Sequence, residues 1–225
     1  ITILISDCGT VTDIDGNVYN TVTIGTQCWM AENLNTTKYS NGDPLLTETD
    51  GAVWSTLTTG AYCWYNNDAA SYQALYGALY NWYAAADSRN LCPAGWHVPG
   101  DAEWTTLEIY LSLNGYNYDG STTGNQYAKA LAASTGWNFY GTEGAAGNTD
   151  YPDKRNASGF TALPGGVLDA NVGLFGSIGN FAIWWTATED GPAIAWDRGV
   201  DYRYSSLGRL NVNKSSGFSV RCLKD

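Results

Sequence analysis

The chain has 225 residues, with 11 basic and 22 acidic side chains giving a formal net charge of −11. That charge repels phosphate backbones and so excludes nucleic acid as a partner. No stretch approaches the roughly 18 apolar residues of a membrane-crossing helix, and no basic amphipathic face suits a membrane surface.

Sixteen Tyr, ten Trp and 26 Gly stand against a single Met. This balance points to turns and loops packed by aromatic rings rather than long exposed helices. Residues 1–9 read as an N-terminal lead, opening on the strand-like ITILIS with no signal peptide, as in a processed or excised piece of a longer chain. Residues 10–225 read as one domain.

Residues 10–34 predict a β-meander, with Asp15-Gly16 and Gly25-Thr26 at its two turns. Residues 35–60 are polar and read as a surface loop punctuated by Asn41-Gly42-Asp43-Pro44. Trp64 to Asp68 reads as a helix cap. Tyr72, Leu75, Tyr76, Leu79, Tyr80 and Tyr83 fall at i, i+3, i+4, i+7, i+8 and i+11, one stripe of a helix expected over residues 71–86. A second helix is expected after Pro99-Gly100, with Asp101 as its cap, Glu103 at the positive end of its dipole, and Trp104, Leu107 and Leu111 facing the core. A third, weaker helix is expected from Asn125 to Ala133. Beyond residue 115 the chain turns Gly-, Ser-, Thr- and Asn-rich. Short strands are expected at Phe160–Leu163, Ile183–Thr186, Ala193–Trp196 and Gly217–Cys222, joined by long loops.

Five cysteines are present, none in a CxxC pair, and His97 is the only histidine, which argues against a Cys/His zinc site. Disulfides are the better reading, and they place the chain outside the reducing cytosol. The odd thiol reads as a buried, inert one, since no basic residue flanks it in sequence. Asp13-Ile14-Asp15-Gly16-Asn17 begins like a calcium loop, but its Gly is at the fourth position and no Glu stands at the twelfth, so a hairpin turn accounts for it. No cofactor is expected, although the acidic surplus leaves room for a structural calcium. Glu103, Glu108, Glu143, Glu189 and Asp190 show no spacing that singles out a catalytic carboxylate pair. His97, between a cysteine and a helix start, reads as structural. The chain is not expected to be an enzyme.

Several ordered stretches carry a resemblance: residues 13–34 (DIDGNVYNTVTIGTQCWMAENL), 60–68 (GAYCWYNND), 76–84 (YGALYNWYA), 91–107 (LCPAGWHVPGDAEWTTL), 159–166 (GFTALPGG), 184–189 (WWTATE) and 217–225 (GFSVRCLKD). Together they resemble the Fibrobacter succinogenes major paralogous domain, a family of secreted and surface proteins of Bacteroidetes and Fibrobacteres. Pro-Gly-Asp-Ala-Glu-Trp after Trp96-His97, and the closing Gly-Phe-Ser-Val-Arg-Cys, are more distantly similar to formylglycine-generating-enzyme-like domains. The resemblance implies an α+β, C-type-lectin-like fold: two main helices around short antiparallel sheets, termini meeting in one sheet, and a long loop-rich region.

The resemblance also implies a Cys92–Cys222 bridge, closing a loop of about 130 residues and contributing roughly 4–5 kcal/mol in chain-entropy models. Cys8 and Cys28, flanking the first hairpin, form the second expected pair and leave Cys63 free. A Cys28–Cys63 bridge is the alternative. The copper-binding cysteine pair of the formylglycine-generating enzymes is missing, as are the calcium-binding signatures of sugar-binding C-type lectins.

In C-type-lectin-like domains the stretch before the last strand faces ligand. Here residues 189–216 are dense in Asp, Tyr, Arg, Ser and Asn, a mix resembling paratope chemistry. The candidate binding residues are Glu189, Asp190, Trp196, Asp197, Arg198, Asp201, Tyr202, Arg203, Tyr204, Arg209, Asn211 and Asn213. Alternation of Asp201, Arg203 and Ser205 with Tyr202 and Tyr204 predicts strand period there. The expected function is extracellular recognition or adhesion, binding a glycan or protein at the cell exterior within a larger secreted chain or assembly. A structural subunit of a surface appendage or fibre is the alternative, and a degenerate formylglycine-generating-type enzyme the third reading.

Overall fold

The computed structural model describes residues 8–225. Most of the expected lead, and with it the ITILISD segment whose placement distinguishes an assembly subunit from a linked module, lies outside the described residues. The elements in chain order are β1 (Thr10–Thr12), β2 (Val18–Ile24), β3 (Gln27–Met30), β4 (Leu46–Thr47), α1 (Gly51–Trp54), β5 (Ala61–Cys63), α2 (Ala69–Tyr76), β6 (Leu79–Tyr80), α3 (Trp82–Ala85), β7 (Trp96–His97), α4 (Asp101–Leu113) and α5 (Ala128–Leu131). They continue with β8 (Gly165–Asp169), β9 (Leu174–Ile178), β10 (Phe181–Glu189), β11 (Ile194–Asp201), β12 (Leu207–Asn213) and β13 (Leu223–Lys224). This is a mixed α and β chain, with strands outweighing helices.

The meander forms as its turns predict. Asp13 Oδ1 accepts the amides of Asp15 and Asn17 at 3.0 and 2.9 Å, closing the first turn, and Gly16 takes the left-handed φ of +88°. Strands β1, β2 and β3 then continue into a five-stranded antiparallel sheet ordered β1-β2-β3-β13-β7. Leu223 sits between Trp29 and His97 in register, so the last strand joins the first hairpin. Cys92–Cys222 and Cys8–Cys28 are both bonded, and Cys63 is a free, buried thiol whose pKa burial pushes up.

Before reaching that sheet, the tail touches each of the other three. Gly217 bridges to Leu168 of β8, Phe218 to Tyr80 of β6, and Ser219 to Trp184 of β10. Residues 214–223 are buried throughout. The short strand expected at Gly217–Cys222 is therefore a stitching segment that spends its backbone hydrogen bonds on several partners. Arg221 lies within it, fully buried. Its guanidinium is held by Asn33 Oδ1 at 2.9 Å and the Phe160 carbonyl, over the rings of Phe160 and Trp184. Trp29, Trp104, Phe160 and Trp184 pack edge-on or tilted with centroids 4.8–5.8 Å apart, forming the aromatic core between the five-stranded sheet and α4.

Three helix expectations are corrected. The helix over residues 71–86 stops at Tyr76. Gly77 turns the chain with φ +72° so close to Leu34 that a Cβ there would lie 2.7 Å from its carbonyl oxygen. Past it, Leu79 and Tyr80 pair as strand β6, and Asn81 caps the one-turn α3 by accepting from the Ala84 amide. The aromatic stripe is thus split between a helix that fully buries none of its residues and a strand that buries Tyr80 completely. The second helix begins where predicted, but Gly100 is its cap and Asp101 its first residue. Glu103 closes the start by accepting from the Gly100 amide at 2.8 Å. The third helix is a single turn, Ala128–Leu131. Residues 35–60 are also less of a free loop than expected: Tyr39 and Trp54 are buried, and Trp54 Nε1 donates to the Ser215 carbonyl at 2.6 Å.

Candidate functional site

The candidate binding stretch, residues 189–216, supplies β11 and β12, which join β10 in a three-stranded antiparallel sheet. Side chains alternate across it, and register sorts them into rows. On one face Trp184, Arg198 and Arg209 are neighbours; on the other, Trp185, Asp197 and Leu210, then Ile183, Gly199 and Gly208.

The first face packs on α4. Arg198 is fully buried, its Nε donating to Glu108 at 2.6 Å and its Nη1 to Asp101 at 2.7 Å. Arg209 joins the same carboxylate, donating to the two Asp101 oxygens at 2.9 and 3.0 Å, and lies 3.4 Å over the ring centre of Trp196. Burial works to raise the Asp101 pKa, but the hydrogen bonds from Arg209 and Arg198 outweigh it and hold the carboxyl below its ordinary value.

The second face is half covered. Trp185, Ala195 and Val212 pack into the core with Tyr80, Trp82 and Phe218. Beyond them the face opens into a groove of about 250 Å³ lined by Phe181, Ile183, Asp197, Gly199, Asp201, Tyr204, Ser206, Gly208 and Leu210. Gly199 and Gly208 lie opposite each other and leave its floor without side chains. A Cβ on Gly199 would stand 3.2 Å from Ile183 Cγ1. Tyr204 and Leu210 rise at the rim, 53% and 63% exposed. Asp197 closes the inner end, 2% exposed. Among the described residues no side chain hydrogen-bonds its carboxylate. Burial pushes its pKa up to about 7, against the opposing pull of Arg198 and of the Leu210 amide.

The expected binding residues therefore do not form one surface. Asp197 and Arg198, adjacent in sequence, point to opposite faces and are both buried, so Arg198 is withdrawn from the set that a ligand reaches. Asp201 and Tyr204 belong to the groove, whereas Trp196 and Arg209 belong to the α4 side. Glu189, Asp190, Asn211 and Asn213 lie toward the far end of the sheet. There Glu189 pairs with Lys214 at 3.2 Å, Asp190 accepts from Asn211, and Asn213 accepts from the Ser215 amide. The strand period expected over residues 201–205 is also corrected. Asp201 ends β11 and residues 202–205 lie in the β11–β12 turn, where Asp201 accepts both the Arg203 amide and its guanidinium. Tyr202 packs edge-on against Tyr140, with centroids 5.3 Å apart. Phe181, Ile183, Gly199, Ser206, Gly208 and Leu210 were missed. The two glycines inside strands were the available signal, since glycine in a strand often marks a close approach by another group.

The other chemical candidates are partnered. His97 bridges Asp225 at 2.6 Å and Glu103 at 2.9 Å; burial works against its charge, but the two carboxylates raise its pKa. Glu108 holds Arg198, and Glu143 accepts from Tyr151 at 2.6 Å. Asp15 pairs with Lys38 at 2.8 Å; burial opposes its ionisation, but Lys38 and Thr37 bring its pKa down to about 2. Among the described residues no three His, Cys, Asp or Glu side chains gather as metal ligands, and no helix is long and apolar enough to cross a membrane.

A profile of the Fibrobacter succinogenes major domain (Fib_succ_major) matches residues 22–224, so the chain belongs to that family. No curated protein matches it, and no solved structure does.

Proposed function

We propose that this domain is an extracellular recognition module, and not an enzyme, that takes its ligand in the open half of the β10-β11-β12 sheet. The observation that carries this reading is the groove itself. It is a floor of paired glycines between apolar walls, with a buried carboxylate at one end that no side chain among the described residues satisfies. Burying a carboxylate with a backbone amide as donor but no side-chain partner is costly, and a ligand that completes its hydrogen bonding recovers part of that cost. Ligand sites are commonly concave and apolar with a few placed polar groups. The two disulfides fit an oxidising compartment, which supports a secreted or surface location.

The frame we propose for it is C-type-lectin-like. Support comes from the last strand pairing with the first hairpin, the Cys92–Cys222 link, and the long excursion between α4 and the tail that carries the sheet. The fibre-subunit alternative draws on one feature, β12, which is an edge strand of its sheet among the described residues.

The test is a glycan array and a peptide array probed with the intact protein and two double variants. Tyr204→Ala with Leu210→Ala alters the groove rim, and both side chains are exposed enough to leave the fold alone. Trp196→Ala with Arg209→Ala alters the opposite face. The expected result is a ligand lost at least tenfold by the first variant and kept by the second. A ligand lost only by the second, or no ligand at all, overturns the groove as the site.

A further inference from the structure

We propose that the groove takes the side chain of a lysine in a partner polypeptide, its methylenes lying over the Gly199–Gly208 floor and its ammonium meeting Asp197. This rests on the reading of the groove as the binding site and names its ligand class. Three observations carry it. Asp197 is 2% exposed and lines the groove, and its carboxylate accepts from no side chain among the described residues. The path to it is apolar: Ile183 on one side, Leu210 on the other, and backbone alone beneath. Two residues of strand separate Gly199 from Asp197, about 7 Å at strand rise, a distance that suits the four-carbon stem of lysine. The surplus of acidic side chains over the whole chain also favours a cationic partner.

The second acidic group in the groove does not compete. Asp201 is already paired with Arg203 at 2.7 Å. Facing Asp197, β10 offers Trp185 and Ile183, and β12 offers Leu210 and Gly208, none of them titratable. Arg198 points to the opposite face and spends its guanidinium on Asp101 and Glu108. Tyr204 stands at the rim. A lysine ammonium arriving at Asp197 thus meets a carboxylate that the Leu210 amide satisfies in part and that no side chain among these groups claims, and it holds that carboxylate ionised. Binding strengthens as pH rises toward 8 and weakens as Asp197 takes up its proton.

The probe is acetyl-Gly-Lys-Gly-amide, followed by NMR shifts of the groove amides, against the same peptide with norleucine or glutamate in place of lysine. The expected result is binding at pH 8 at least tenfold tighter for lysine than for norleucine, with none for glutamate. Asp197→Asn removes the preference for lysine. Leu210→Lys, at an exposed position directly across from Asp197, supplies an ammonium from the protein itself and blocks the peptide without threatening the fold. Equal binding of lysine and norleucine peptides, or a lysine peptide indifferent to both variants, overturns the inference. If the lysine peptide fails while an arrayed glycan binds and is lost with Tyr204→Ala and Leu210→Ala, the recognition reading stands and the lysine assignment falls. If nothing binds in either assay, both fall.

Discussion

Asp197 and Arg198 are consecutive residues of one strand, both buried and oppositely charged, yet they live in different chemistries. Arg198 faces α4 and finds two carboxylates, one of them shared with Arg209. Asp197 faces the open half of the sheet and finds no side-chain partner among the described residues. The comparison separates two uses of buried charge. A charge with complete hydrogen bonding fixes how a helix sits on a sheet. A buried charge with no side-chain partner among the described residues, at the end of a groove, is a site awaiting its complement.

The largest break in that comparison is Arg198→Ala. It leaves Glu108 without its guanidinium and Asp101 with Arg209 alone, and opens a cavity under α4, so a loss of about 3–5 kcal/mol is expected, read as a shift of the urea midpoint. A loss below about 1 kcal/mol shows the pair to be no more than a surface contact.

Asp197→Asn is expected to act in the opposite direction. A carboxyl whose folded pKa is raised from 3.8 to about 7 imposes no penalty when both states are protonated. The penalty grows as pH climbs between those two values and is constant above them. The variant is spared it, so its stability relative to the parent improves by on the order of 2–4 kcal/mol from pH 4 to pH 8. Parallel pH profiles for the two proteins contradict the unpaired state of Asp197.

The smallest effect belongs to His97, a paired group on β7 of the five-stranded sheet. Its raised pKa contributes stability that is present below its unfolded value of about 6.5 and lost as pH rises through the folded one. His97→Gln therefore costs stability at pH 5.5 and little at pH 9. The difference is under about 1 kcal/mol, because the site is partly exposed and screened. Both substitutions flatten the pH profile, but Asp197→Asn does so by gaining at high pH and His97→Gln by losing at low pH, which thermal melts across pH distinguish.

Features set by neighbours in sequence were legible. The meander follows from its turn residues, and α4 from Trp104, Leu107 and Leu111 at helical spacing. The Cys92–Cys222 pairing followed from family resemblance, and Cys8–Cys28 from their places on either side of the first hairpin. Features set by distant partners were not legible. The tyrosine stripe has ideal helical period, and only the closeness of Gly77 to Leu34, 43 positions earlier, shows that the chain must turn there. The polar stretch before the tail is rich in charged and aromatic residues, but its composition treats Asp197 and Arg198 alike. Their difference depends on Asp101 and Glu108, about 90 residues away. The glycine floor exists only through the register that sets Gly199 against Gly208.

The most direct test of the account is the carboxyl ¹³C shift of Asp197, followed from pH 3 to pH 9 in the unliganded protein. The account predicts a midpoint near 7. A midpoint near the ordinary aspartate value of about 3.9 means that the carboxylate is solvated or already partnered, and the groove then loses the feature from which its function is argued.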